Sequence, residues 1–113
     1  MTTVRKQLVD IAVNGQFVEG LLAAPEGAAG VVLFAHGSGS SRFSTRNRSV
    51  ANHLAEGGLG TLLFDLLTAD EEVCDQQDAS LRFDIDLLTQ RLAGATRWLD
   101  RQQWAAHLRR GYF

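Results

Sequence analysis

The residues best suited to chemistry form a glycine- and serine-rich segment, His36-Gly-Ser-Gly-Ser-Ser41, directly after a short apolar run. Glycine and serine allow close approach to backbone N–H groups, so a turn of this composition can hold an anion or a developing oxyanion. We expect His36 to shape the turn through a hydrogen bond, with contact to a substrate as the alternative. The segment therefore predicts an anion- or oxyanion-binding corner.

Three arginines follow this segment and could hold a carboxylate or phosphate of a substrate: Arg42, Arg46 and Arg48. Guanidinium groups bind such anions through paired hydrogen bonds. The alternative is salt bridging to an acidic segment, residues 68–80, further along the chain. The sequence leaves both interpretations open.

The single cysteine, Cys74, could act as a nucleophile by its residue type, but its neighbours argue against this. Glu71, Glu72, Asp75 and Asp78 surround it in sequence, whereas a reactive thiolate needs an electropositive setting. We predict an inert loop cysteine. The three histidines show no metal-ligand spacing with a carboxylate, so we predict neither a metal site nor a cofactor.

An antiparallel hairpin is predicted at the start of the chain, over residues 1–24. Apolar residues alternate loosely from Val4 to Val13, and Asn14-Gly15 is a strong signal for a two-residue turn with positive φ. Residues 17–24 supply the return strand, which ends near Pro25.

The remainder, residues 30–113, predicts a β-α-β-α-β unit. Its apolar runs are typical of strands buried on both faces of a parallel sheet, which needs helices on both sides. The predicted elements are strands at 30–35, 59–67 and 108–113, helices at 47–56 and 84–101, and a solvated acidic loop at 68–80.

Composition narrows the class of protein. The 113 residues suffice for one small domain, and a net charge of −2 gives no basic field for nucleic acid or an anionic membrane. No signal peptide or apolar membrane span is evident. One cysteine cannot form an internal disulfide, so we predict a cytoplasmic protein.

In their order and spacing these motifs resemble the N-terminal part of an α/β-hydrolase, in the dienelactone hydrolase-like branch. The resemblance covers nearly the whole chain. It implies a single partial domain, residues 1–113, with an antiparallel hairpin leading into a mostly parallel sheet that has helices on both faces. The pieces that carry it are His36-Gly-Ser-Gly-Ser-Ser-Arg-Phe-Ser44, Arg46-Asn-Arg48, Leu62-Leu-Phe-Asp-Leu-Leu-Thr68 and Leu81-Arg-Phe-Asp-Ile-Asp86.

The resemblance implies hydrolysis of ester or lactone bonds through an acyl-enzyme, with a small-molecule substrate. The oxyanion hole would lie at the Gly37-Ser38 turn, and the N–H of Ser38 would be one donor. His36, Arg42 and Arg46 are the candidate residues for contact with the substrate.

The chain departs from the family at the nucleophile, which should lie in Gly-x-Ser-x-Gly or its cysteine variant. No serine of the chain, and not Cys74, has glycine at both positions. In the family, Gly111-Tyr-Phe113 would lead directly into that motif. We therefore expect a truncated fragment without nucleophile, acid or catalytic histidine, inactive by itself.

Two other classes of function stay open. One is a non-catalytic partial domain that associates with a second chain through the edge of the strand at 108–113, because an unpaired strand edge invites pairing. The other is a phosphate- or nucleotide-binding module. Gly37-x-Gly39 begins a dinucleotide fingerprint, but Arg42 occupies the third glycine position and no Gly-Lys-Ser/Thr is present.

Overall fold

The computed structural model describes residues 4–13, 15–35, 44–78, 81 and 84–113. Within them, five strands form one sheet in the order β1-β2-β4-β3-β5. In chain order the elements are β1 (Val4–Val13), β2 (Gln16–Pro25), β3 (Gly30–Ala35), α1 (Thr45–Glu56), β4 (Gly60–Phe64), α2 (Ala69–Asp78), α3 (Ile85–Asp100) and β5 (Arg109–Tyr112).

The predicted hairpin is confirmed. Val13 pairs with Gln16, so a two-residue turn joins β1 to β2. Gly15 has φ of 80°, a left-handed conformation that glycine adopts without steric cost. Asn14, the other turn residue, lies outside the described residues. Beyond the hairpin, β2 runs antiparallel to β4, with Leu22 opposite Leu62.

The parallel part of the sheet is centred on β3, as the apolar run predicted. Leu33 pairs with Leu62 of β4 on one side and with Tyr112 of β5 on the other, both in parallel. Every residue of β4 is buried, which explains why this strand shows a continuous apolar run rather than alternation.

Helices cover both faces of the sheet, which confirms the predicted fold class. On one face, Phe34 and Leu63 pack in a cluster with Ala51 of α1. On the other, a larger cluster joins the sheet to α3, and Trp98 and Trp104 pack against it at the end of that helix. Among the described residues, no helix is long and apolar enough to cross a membrane.

Local signals set the ends of α1 and α3. The Ser44 side chain accepts a hydrogen bond from the N–H of Asn47 before α1, and that of Asp84 accepts one from Leu87 before α3. Both are N-caps, which satisfy backbone donors that the first helical turn leaves unpaired. Gly58, with φ of 92°, follows α1 and lets the chain turn back toward β4.

The acidic segment at 68–80 is the main correction to the predicted elements, because it contains helix α2 rather than a loop. The Thr68 N–H donates to Glu71 Oε1 at 2.8 Å, and the Glu71 N–H donates to Thr68 Oγ1 at 3.3 Å. This reciprocal pair is a capping box. Acidic residues in a first helical turn are also stabilised by the helix dipole. The loop prediction was wrong because it treated these carboxylates as a solvated charge run.

Candidate active-site edge

The carboxyl ends of three parallel strands meet at one edge of the sheet. Ala35 at the end of β3 pairs with Phe64 at the end of β4, and β5 runs parallel to β3 on its other side. In open α/β sheets this edge is where ligands bind. The segments that leave these strands are therefore the candidate functional elements.

The predicted oxyanion turn connects Ala35, the last residue of β3, to Ser44, the N-cap of α1. The residues predicted for it, His36, Gly37, Ser38 and Arg42, lie outside the described residues. The flanking elements agree with the prediction: a buried strand precedes the turn, and a capped helix follows it.

Arg46 and Arg48 both lie on α1 and both are exposed. Residues two positions apart on a helix point to different sides of it, so these two guanidinium groups do not form a pair on one face. Arg48 instead lines a cavity between α1 and the sheet. Substrate contact by Arg46, in the first turn of α1, stays a prediction.

Asp65 begins the segment that leaves β4 at this edge. It is half-buried, and its N–H donates to the Glu19 carbonyl oxygen at 3.1 Å, which ties the segment to β2. A cleft of about 470 Å³ opens here, and carboxylates on its walls give it acidic character: Asp10, Glu19, Asp65 and Glu72. In the described part of the chain, no group of histidines, cysteines and carboxylates could hold a metal ion.

An ion pair between the buried Arg91 and the half-buried Glu71 holds the same segment. The Arg91 guanidinium donates to both oxygens of Glu71, at 2.6 and 2.7 Å, and to the Leu66 carbonyl oxygen at 3.0 Å. These hydrogen bonds from Arg91 hold the pKa of the Glu71 carboxyl below its ordinary value, although burial acts in the opposite direction. The pair thus connects α2 to α3 and to the segment that follows β4.

Sequence reasoning missed this pair, although two signals were present. Thr68-x-x-Glu71 matches the capping box, and Arg91 occupies a core-facing position of α3, four residues before the buried Ala95. A cation on an apolar helical face needs a buried partner. Neither signal identifies Glu71 as that partner, because the two residues are twenty positions apart.

Cys74 is exposed on α2, so its predicted location in a loop was wrong, while its inertness stays a prediction. His53 and His107 are also exposed. The Nδ1 atom of His53 lies 2.8 Å from the Ser49 carbonyl oxygen, one turn earlier in α1. These side chains lie on separate elements and do not extend the candidate edge.

No protein-family model matches the chain. Two proteins of Mycobacterium tuberculosis, from strains CDC 1551 and H37Rv, are 48% identical to it over 109 residues, and each is provisionally named a phosphoribosyl transferase. The alignment covers 96% of this chain and 24% of each relative. The chain therefore spans about a quarter of the length of these curated relatives.

Solved structures show a hydrolase fold. Dienelactone hydrolase from Anabaena variabilis superposes with a TM-score of 0.93 at 52% sequence identity, covering 97% of this chain and 51% of that one. A cold-adapted esterase from an Arctic intertidal metagenomic library gives a TM-score of 0.69 at 16% identity, covering 96% and 49%; identity this low shows the fold alone. The chain has the α/β-hydrolase fold, and in both sequence and structure it is dienelactone hydrolase-like.

Proposed function

We propose that the chain supplies the oxyanion turn of an ester or lactone hydrolase that works through an acyl-enzyme. The observation that carries this proposal is the superposition on a dienelactone hydrolase with a TM-score of 0.93 at 52% identity. The chain spans 51% of that structure, so the activity belongs to a protein with further residues. Cytoplasmic location is part of the same proposal.

The proposed reaction begins when a nucleophile attacks the ester carbonyl carbon and the carbonyl oxygen becomes an oxyanion. The backbone N–H of Ser38 donates to that oxyanion, and Gly37 lets the oxygen approach the main chain. The bond to the alcohol oxygen then breaks, the alcohol leaves with a proton, and water hydrolyses the acyl-enzyme. No serine or cysteine among these 113 residues has the Gly-x-Ser-x-Gly or Gly-x-Cys-x-Gly context, so the nucleophile comes from outside them.

The strand arrangement supports an oxyanion donor within this chain and a nucleophile outside it. β5 lies beside β3 and runs parallel to it, with Leu33 opposite Tyr112. Residues that follow β5 therefore emerge at the same edge of the sheet as the segment that follows β3. A nucleophile on a turn after β5 would face an oxyanion donor on the turn after β3.

The first test is to read the coding sequence beyond the codon for Phe113. The proposal expects Gly-x-Ser-x-Gly or Gly-x-Cys-x-Gly within a few residues. In the protein that includes it, Ser38→Pro removes the backbone donor, and we expect kcat/KM for p-nitrophenyl acetate to fall about 10²–10³-fold. Ser38→Ala is the matched control, because it keeps the N–H and should leave kcat/KM nearly unchanged.

The 113-residue chain by itself should show no turnover of the same ester. Esterase activity of this chain that disappears in Ser38→Ala, Ser40→Ala or Cys74→Ala would place the nucleophile inside it and overturn the proposal. Full activity of Ser38→Pro in the longer protein would overturn the oxyanion assignment alone.

The curated relatives favour a second candidate, binding of a phosphate or phosphoribosyl group at the same turn. Its support is the 48% identity to proteins provisionally named phosphoribosyl transferases. The alignment covers 24% of each relative. About three quarters of each named protein therefore lies outside the region that this chain matches. Isothermal titration of the chain with phosphoribosyl diphosphate distinguishes the candidates: saturable heat favours this one, and no heat removes it.

A third candidate is association with another chain through β5. In the described residues β5 lies at the edge of the sheet, and Tyr112 and Phe113 are 54% and 57% exposed. An open edge with apolar side chains can pair with a further strand. Sedimentation at two concentrations tests this: a mass that rises with concentration supports association, and a constant monomer mass contradicts it.

A further inference from the structure

A cavity of about 170 Å³ lies between α1 and the sheet, away from the candidate edge. Its lining includes Ala23 of β2 and Ala51 of α1, whose methyl side chains leave unfilled space between the helix and the sheet. Thr61 also lines it and lies three residues before Phe64, the end of β4. At about 3.3 Å per strand residue, Thr61 is roughly 10 Å from the carboxyl edge, so this is a separate site.

Strand register places Lys6 and Thr61 on either side of Ala23. Lys6 of β1 pairs with Ala23 of β2, and Ala23 pairs with Thr61 of β4. Neighbouring strands are about 4.8 Å apart, so the Cα atoms of Lys6 and Thr61 are separated by roughly 10 Å. A lysine side chain is long enough to extend over Ala23 toward Thr61, leaving room for a group of a few atoms between them.

The open side of this cavity is positively charged. Lys6 and Arg48 both line it and both are exposed, whereas no carboxylate is among its described lining residues. The Lys6 ammonium lies 3.5 Å from Asn52 Oδ1, which links β1 to α1 across the cavity. Two cations at one small cavity repel each other unless an anion lies between them.

The floor of the cavity contains an unsatisfied polar atom. Thr61 is fully buried, and its Oγ1 has no hydrogen-bond partner among the described residues. Burial of a hydroxyl without a partner is unfavourable, so such a group often marks the place of a ligand or an ordered water. A hydroxyl can donate to an anionic oxygen, which matches the charge of Lys6 and Arg48.

We propose that this cavity binds a short-chain carboxylate. One carboxylate oxygen accepts from the Lys6 ammonium and the other from the Thr61 hydroxyl, above the Ala23 methyl group, while Arg48 adds a second positive charge. The aliphatic chain lies against Ala51.

Titration with sodium butyrate, followed by two-dimensional NMR of the backbone amides, tests this site directly. We expect saturable shifts at Ala23, Ala51 and Thr61. Lys6→Gln and Thr61→Val should each weaken butyrate binding roughly tenfold. Arg97→Gln, which removes an exposed charge from α3, is the matched control and should bind butyrate as the unaltered protein does.

Uncharged butanol and inorganic phosphate complete the experiment. Butanol should bind much more weakly than butyrate, and phosphate should not displace it. Absence of saturable shifts overturns the site, and so does butyrate affinity in Thr61→Val or Lys6→Gln equal to that of the unaltered protein. Displacement by phosphate at equal concentration shows a general anion surface and overturns the carboxylate assignment. None of these outcomes depends on hydrolase activity, so this inference and the proposed function fail separately.

Discussion

The Glu71 carboxylate and the Arg91 guanidinium meet through two parallel hydrogen bonds, at 2.6 and 2.7 Å. The Arg91 side chain is only 5% exposed, and it also donates to the Leu66 carbonyl oxygen. One buried cation therefore joins α2, α3 and the segment that follows β4. Since that segment begins at the carboxyl edge of the sheet, the pair anchors the chain where it leaves β4, the strand beside β3.

Glu71→Gln should destabilise the fold by about 3 kcal/mol, because Arg91 would remain buried without its counter-charge. Glutamine can still accept from the Thr68 N–H, so the capping box survives and the loss reports on the ion pair. Urea unfolding followed by circular dichroism gives the measurement. Glu72→Gln, at an exposed position of the same helix, is the control and should cost less than about 1 kcal/mol. Equal unfolding midpoints for Glu71→Gln and the unaltered protein would contradict the prediction.

The same pair predicts acid sensitivity. The Arg91 hydrogen bonds lower the pKa of Glu71 in the folded state below its ordinary value of 4.5. A carboxyl whose pKa is lower in the folded state stabilises the fold above its unfolded-state pKa, and this contribution is lost as pH falls through the folded-state pKa. The stability difference between the unaltered protein and Glu71→Gln should therefore be constant near neutral pH and should shrink below about pH 4.5. Urea unfolding of both proteins at several pH values measures it, and a difference that grows on acidification would contradict the assignment.

The hairpin and the buried strands could be predicted from the sequence because each depends on residues that are close together in the chain. Gly15 provides the turn conformation, and the apolar residues of β4 show a strand buried on both faces. The segment at 68–80 was misread because helix α2 depends on a capping box and on the distant Arg91, whereas the acidic composition alone resembles a loop. The oxyanion assignment at Ser38 came from family resemblance, and that turn lies outside the described residues.

Gly94 on α3 approaches β1 so closely that it has no room for a side chain. A Cβ atom at Gly94 would lie 2.7 Å from Val13 Cγ1. Gly94→Ala should therefore destabilise the fold by about 1–2 kcal/mol, because overpacking outweighs the roughly 1 kcal/mol that alanine gains in a helix. Thermal or urea unfolding measures the change. Gly57→Ala is the matched control, since its Cβ would meet no atom closer than 3.5 Å.

A double-mutant cycle shows whether the Gly94 effect arises at Val13. Val13→Ala removes the clashing methyl groups, so adding Gly94→Ala to that variant should cost less than it does alone. Additive effects would show that the strain lies elsewhere in α3.

Thr61→Val should stabilise the fold by about 1 kcal/mol in the absence of ligand. The substitution keeps the branched shape of the side chain and replaces a buried hydroxyl that has no partner in the described structure with a methyl group. Thr96→Val is the control of opposite sign, because Thr96 Oγ1 lies 3.1 Å from the Leu92 carbonyl oxygen and 2.9 Å from the Tyr112 hydroxyl. Urea unfolding of both variants should show a gain for Thr61→Val and a loss for Thr96→Val. A loss of stability in Thr61→Val as large as that in Thr96→Val would show that the Thr61 hydroxyl is hydrogen-bonded without a ligand. The cavity would then lack the free donor that a carboxylate requires.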